Sequence, residues 1–448
     1  MKKVKCLVSR LKTNMFWKSV VVLVSGTALA QIMGIFTTPI VSRLYDPKAF
    51  GEYAIIISTS SIILSIVTLG LNSAIMVPES DDESKEVFMV AFATMLVLAT
   101  VILIILIIAS PFIYFFNIEM NYILACILVY SFVVVNNTAG LLNIYVNRKG
   151  LNKVLFYNSL ISALATLCIS IPLGILNTGS IGLLIAALLA GIASIIQMVY
   201  HVSPFKGIPS IAAFKNIYQK YKEFILYQYP SNFIVDFATQ LPAQVFSTTF
   251  GNANLGSYSM NEKILGIPTR LIGVPINIVY FRTASEYYKE GKSLADFTFS
   301  LIIKIMLIAL FPIIVTVIWG EQIFSLILGP NWGEAGKLAG FLIVQYVFMF
   351  CATCTSYLRV VMGKQKVNLV VSILRLVIIG LSIILGIYLF GDLFNTIIFF
   401  TIGSSLYLII DMAINFYCLK KYWVRYIIFA LAYISSIMIL WILSSRLF

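Results

Sequence analysis

Long apolar runs separated by short polar links follow one another along the whole chain. At about 20 residues per membrane crossing, they place spans at 18–42, 50–77, 87–116, 120–147, 153–176 and 180–202, then at 223–250, 254–281, 297–328, 335–362, 366–390 and 392–418. A thirteenth run, 424–445, closes the chain. The expected fold is an all-α integral membrane protein of two six-helix transmembrane lobes related by a pseudo-two-fold, plus a thirteenth C-terminal helix. Its expected divisions are a basic cytoplasmic tail (1–17), a first lobe (18–202), a cytoplasmic linker (203–222), a second lobe (223–418) and a basic link with the last apolar helix (419–448).

Polar residues inside these runs are ordered. In the second span Ser58, Ser61, Ser65, Thr68 and Asn72 recur at alternating three and four, which puts them on one helix face. The first span repeats this with Thr27, Gln31, Gly34 and Thr38, the fourth with Asn136, Gly140, Asn143 and Asn147, and the seventh with Asn232, Asp236, Gln240 and Gln244. Small and hydroxylated stripes serve helix packing as well as cavity lining. Four such faces rich in Asn, Gln and Asp favour a hydrated cavity, since polarity at membrane depth is buried in protein or wetted. The expected lining residues are Gln31, Ser65, Asn72, Asn136, Asn143, Gln240 and Asn277.

The eighth span carries charge. "SYSMNEKILGIPTRLIGVPINIVYF" (257–281) holds Glu262, Lys263 and Arg270, and each central charge costs on the order of 2.5–3.5 kcal/mol to insert. Gly256, Lys263, Arg270 and Asn277 are spaced by seven, so they are expected along one stripe, with Lys263 and Arg270 about 10 Å apart along the axis. A static ion-pair network is the plain alternative, and for Lys304, near a span end, snorkelling to the interface is the better account. Intramembrane cations otherwise mark a substrate path. Lys263 and Arg270, with Arg375 on a stripe beside Asn368 and Ser372, are therefore candidates for an anionic substrate group. Asp236 and Glu262 are candidates for charge balance or ion coupling.

Composition agrees with a membrane location. The chain is 60% hydrophobic and only 11% charged, with a mean hydropathy of +0.98, which excludes a water-soluble protein of this length. The net charge of +13 would suggest a nucleic-acid partner in a soluble chain. Here Lys and Arg sit in the links, 23 on the N-terminal side of the membrane against 4 on the other. That imbalance puts the N-terminus in the cytoplasm. The acidic link "PESDDESKE" is the exception, and acidic residues weigh little in this rule. "SVVVLVSGTALAQ" with Ala28-Leu29-Ala30 imitates a signal-peptide cleavage site, but apolar sequence continues to Val41 and makes a full span.

Cys351 and Cys354 have redox-pair spacing, yet no second pair accompanies them, and two small core residues are the better reading. One histidine, His201, cannot build a multi-histidine metal site. No metal, cofactor or catalytic group is expected. An internal repeat also emerges: "DPKAFGEY" (46–53) matches "GNANLGSY" (251–258) at an offset of 205 residues, each leading into the second span of its half. Six helices per half keep both halves in one orientation, the parallel-repeat layout of two-lobed transporters.

"GTALAQIMGIFTTPIVSRLYDPKAFGEYAIIISTSSIILSIVTLGLNSAIMVPESDDE" resembles the first two helices of the bacterial polysaccharide exporters, the O-antigen and capsule flippases of the multidrug/oligosaccharidyl-lipid/polysaccharide superfamily. "YKEFILYQYPSNFIVDFATQLPAQVFSTTFGNANLGSYSMNEKILGIPTRLIG", "FRTASEYYKEG" and "LILGPNWGEAGK" carry the resemblance to about residue 420. Such exporters commonly have twelve or fourteen spans, so the run 424–445 is a departure.

The resemblance implies a non-enzymatic flippase of the bacterial inner membrane. It would move an undecaprenyl-pyrophosphate-linked oligosaccharide outward by alternating access, driven by H+ or Na+ or neither, alongside a polymerase and other assembly proteins. A murein-precursor flippase is the nearest competitor. A drug/cation antiporter of the same superfamily would want acidic rather than basic cavity residues. A membrane glycosyltransferase or polymerase would need sizeable outer loops, which are missing, and the signature of major-facilitator transporters is absent between spans two and three.

Overall fold

A computed structural model describes residues 33–109, 120–205, 207, 209–364 and 366–447. Gln31, the basic tail and the Ala28–Ala30 segment lie outside these described residues. Every regular element among them is helical. In chain order they are α1 (33–44), α2 (Pro47–Val67), α3 (Leu71–Ala74), α4 (Asp81–Ala109), α5 (Tyr122–Arg148), α6 (Asn152–Ile175), α7 (Ser180–His201), α8 (Ile211–Lys220) and α9 (Tyr229–Phe250). There follow α10 (Asn252–Leu265), α11 (Val274–Lys289), α12 (Leu294–Leu328), α13 (Gly333–Cys354), α14 (Leu358–Val361), α15 (Lys366–Phe390), α16 (Leu393–Cys418) and α17 (Trp423–Leu447). Short π-helical turns at Phe224–Gln228 and Thr269–Gly273 precede α9 and α11.

Eleven segments of the described residues are long and apolar enough to cross a membrane, among them the final one, Trp423–Trp441. Large apolar side chains such as Ile308, Phe311 and Leu326 are more than 70% exposed. Lipid is the solvent that tolerates such surfaces, and the chain is a multi-pass membrane protein. The expected seventh span is helical as α9 but falls outside the eleven. Its stripe of Asn232, Asp236, Gln240 and Gln244 makes it too polar to qualify by hydropathy.

The chain forms two compact units, one of residues 33–259 and one containing residues 260–448. In the first, Asp46 starts α2 as its N-cap, accepting from the Ala49 N–H at 2.8 Å, with Pro47 in the first turn. Helix α2 packs on α5, α7 and α9. The two repeated octets meet face to face: a Cβ on Gly51 would strike the Asn252 carbonyl, and one on Gly256 would strike the Pro47 carbonyl. Since 47 and 51 map onto 252 and 256 under the 205-residue offset, the contact exchanges its own halves, as a pseudo-two-fold requires. Only glycine lets two backbones approach this closely.

The acidic link is balanced within the same unit. Lys149 donates to Asp81 at 2.5 Å, and Glu83 accepts from Lys220 and, at 2.9 Å, from the Tyr221 hydroxyl. Burial, and then the Glu83 carboxylate beside it, pushes the Tyr221 phenol up to about 12. Helix α8 is thereby tied to α4, with Ala213 and Ile217 buried beneath it. A carboxylate the expectation passed over, Glu52, is buried in α2 and accepts from the Ser180 hydroxyl.

In the second unit α12 and α13 pair, α15 and α16 pair, and α17 lies on α12 and α16. Tyr280, Ile302, Phe348, Phe416 and Tyr426 form the centre of its core, which also holds Cys351 and Cys354 as small buried residues. The tight approach of α12 to α13 rests on Gly320 and Gly336, whose added Cβ atoms would meet each other's backbone.

Candidate functional site

The polar stripes of α2 and α9 face each other in the first unit. Gln244 Nε2 donates to Ser58 Oγ at 3.1 Å and to Thr59 Oγ1 at 3.0 Å, and Ser58 Oγ donates to the Gln240 carbonyl at 3.4 Å. Beyond this seam the helices part around a cavity of about 400 Å³. Ser61 and Ser65 line it from α2, Thr68 from the cap of that helix, Asn72 from α3, and Asn232, Asp236 and Gln240 from α9, with Tyr229 at the α9 start. A lining of hydroxyls, amides, one carboxylate and one phenol offers hydrogen-bond donors and acceptors in every direction.

Not every expected lining residue is there. Asn72 lines the cavity and its Nδ2 donates to Asn137 Oδ1 at 3.3 Å. Asn137 is 2% exposed, whereas its neighbour Asn136 is exposed outside the cavity lining. The two are adjacent in sequence, and neither of them lines this cavity. Asn143 is half-buried and donates to the Ala139 carbonyl one turn back. Ser65 is buried with its hydroxyl turned to Ile62 O at 2.8 Å, an arrangement that still leaves it on the cavity wall.

In the second unit the expected seven-residue stripe does not hold. Pro268 has no N–H for a helical bond, α10 ends at Leu265, and the chain widens into the π-turn Thr269–Gly273 before α11 begins. A π-turn adds a residue and shifts the phase of the helix beyond it. Lys263 and Arg270 remain exposed, while Asn277 turns inward, 8% exposed, and donates to Ser356 Oγ at 2.8 Å. At the break Arg270 folds back and its Nη2 donates to the Lys263 carbonyl at 2.5 Å. The guanidinium lies where a side chain on Gly266 would be. The two cations thus share one helix interruption, with Glu262 half-buried beside them.

Arg375 is half-buried in α15, its guanidinium 5.8 Å from the Tyr407 ring centre. One turn along α16 stands an ion pair that the sequence expectation missed. Arg359 donates to the Asp411 carboxylate, to the Asp411 carbonyl at 3.1 Å, and to Asn368 Oδ1 at 3.1 Å. Both side chains are nearly buried. Asp411 lies within an apolar span, and the rule that singled out Lys263 applies equally to it.

Among the described residues no cluster of His, Cys, Asp and Glu is arranged to hold a metal ion.

The sequence matches the family described as "Polysaccharide biosynthesis protein" over residues 40–337. Two solved structures share its fold. One is a multidrug resistance MATE family transporter of the MOP superfamily in an inward-facing conformation, at 15% identity, covering 87% of this chain and 94% of that one with a TM-score of 0.67. The other is the lipid II flippase MurJ in an inward closed conformation, at 13% identity, covering 95% and 98% with a TM-score of 0.69. No curated protein matches the sequence.

Proposed function

We propose that this chain, which belongs to the polysaccharide biosynthesis protein family, is a flippase. It moves an undecaprenyl-pyrophosphate-linked oligosaccharide repeat unit across the bacterial inner membrane, from the cytoplasmic to the outer leaflet, for O-antigen or capsule synthesis. The observation that carries this reading is the cavity of about 400 Å³ lined by the polar faces of α2 and α9. An amide- and hydroxyl-rich wall at membrane depth suits a sugar, whose many hydroxyls need partners once water is stripped away.

Lys263, Arg270 and Arg375 are assigned to the pyrophosphate. Charge-assisted hydrogen bonds to phosphate are roughly twice as strong as neutral ones, and Arg adds planar, bidentate geometry. The polar walls take the sugars and the prenyl chain stays in lipid. Asp236 and Glu262 balance the cations when substrate is absent, or carry a coupling H+ or Na+. The cycle is alternating access of two repeat-related lobes, with the N-terminus in the cytoplasm.

One observation favours a second reading. Asp236 lies on the cavity wall, as a cation or drug antiporter would need. The discriminating experiment deletes the gene in its host and extracts undecaprenyl carriers for mass spectrometry, comparing wild type with Asp236→Asn. A lipid-linked unit that accumulates on deletion and clears with the wild-type gene supports the flippase. Export of a cationic drug, lost in Asp236→Asn with no carrier accumulation, supports the antiporter.

A further inference from the structure

The turn Leu419–Tyr422 joins two helices that are each long and apolar enough to cross a bilayer. A connection of this length lies where the hydrocarbon ends and the headgroups begin. Lys420 and Tyr422 both adopt left-handed backbone conformations, with φ of 55° and 68°, which residues with a side chain rarely do. Such strain persists where surrounding contacts over-determine it.

Those contacts are visible. The Tyr422 hydroxyl donates to Asp296 at 2.5 Å and its ring stacks on Phe299 at 4.7 Å. Lys421 donates to the same carboxylate at 2.6 Å. Lys364 reaches the end of α16 and donates to the Cys418 carbonyl at 3.3 Å. The Arg425 guanidinium sits 5.6 Å from the Tyr422 ring centre. Lys364, Lys420, Lys421 and Arg425 are all exposed at or beside the turn, and only Lys421 among them is shown paired with a carboxylate, Asp296, so the turn is strongly positive. Tyr417 and Trp423, 67% and 44% exposed, meet edge to face beside them.

We propose that this turn binds the headgroup of an anionic phospholipid. Lys420 and Arg425 contact its phosphate, and Tyr417 and Trp423 flank the upper part of its acyl chains. Topology alone asks only for positive charge on this side of the membrane. It does not ask for two strained residues holding that charge around a pair of exposed aromatic rings, which is the combination that suits the headgroup layer.

The test uses the purified full-length chain and native mass spectrometry with dioleoyl-phosphatidylglycerol and dioleoyl-phosphatidylethanolamine. Phosphatidylglycerol is expected to be retained preferentially. Lys420→Ala with Arg425→Gln should weaken its retention by roughly fivefold per charge removed, leave phosphatidylethanolamine unchanged, and contrast with a Lys215→Ala/Lys222→Ala control that changes neither. Lys420→Gly separates charge from folding: it removes the same charge while relieving the backbone, so phosphatidylglycerol retention should fall about fivefold without a drop in melting temperature. Unchanged phosphatidylglycerol retention in the double variant overturns the proposal. So does an equal loss of both lipids, or an equal loss in the control.

Discussion

Arg359 and Asp411 illustrate what a buried charge demands of its neighbours. Removing one partner of such a pair leaves the other uncompensated, so Arg359→Ala is expected to destabilise the protein by roughly 3–5 kcal/mol, while Arg359→Met with Asp411→Leu recovers most of the loss. Thermal unfolding of the purified variants checks this. Lys263 and Arg270 are expected to behave oppositely, because both are exposed rather than packed in a core. Lys263→Ala and Arg270→Ala should fold normally and lower export by about 10- to 100-fold each, the size of a lost charge-assisted hydrogen bond. Full complementation of a flippase-null strain at native expression by both variants would remove these residues from the substrate site. At this scale the sequence revealed which residue types were out of place in a membrane, but not their partners. Asp411 was legible by the same rule as Lys263, whereas its pairing with Arg359, 52 positions away, required the fold.

The polar stripes of α2 and α9 could be read from a period of three and four, and they are the pair that surrounds the cavity. The stripe through the eighth span was misread because a regular period was extended through Pro268. The π-turn beyond it rotates Asn277 away from Lys263. The helix contacts set two outcomes at the scale of elements. Gly51→Ala and Gly256→Ala each force a Cβ into a facing carbonyl and should cost about 1–3 kcal/mol. Gly140→Ala in α5, where nothing lies within 4 Å of the added atom, should be neutral or stabilising; comparing melting temperatures of the three tests the glycine seam. Ser65→Leu with Asn232→Leu should fill and dry the cavity, lowering export several-fold with little loss of stability. Wild-type export from that double variant would place the sugar elsewhere.

The repeat is the feature through which the whole molecule was most legible. One octet aligned at an offset of 205 residues, and its two copies pack through Gly51 and Gly256. The acidic link looked anomalous because its cations come from distant segments, Lys149 at the end of α5 and Lys220 in α8. Sequence periodicity cannot supply such long-range pairs. Whether the proposed flippase moves a lipid-linked sugar is read from leaflet accessibility. Undecaprenyl carriers are extracted from a strain deleted for the gene and identified by mass spectrometry, with an external glycosidase scoring which units lie on the outer leaflet. Under the flippase reading, one repeat unit accumulates on the cytoplasmic leaflet, protected from the enzyme, and surface polymer disappears. Absence of accumulation, or units already outside and cleaved but unpolymerised, would contradict it.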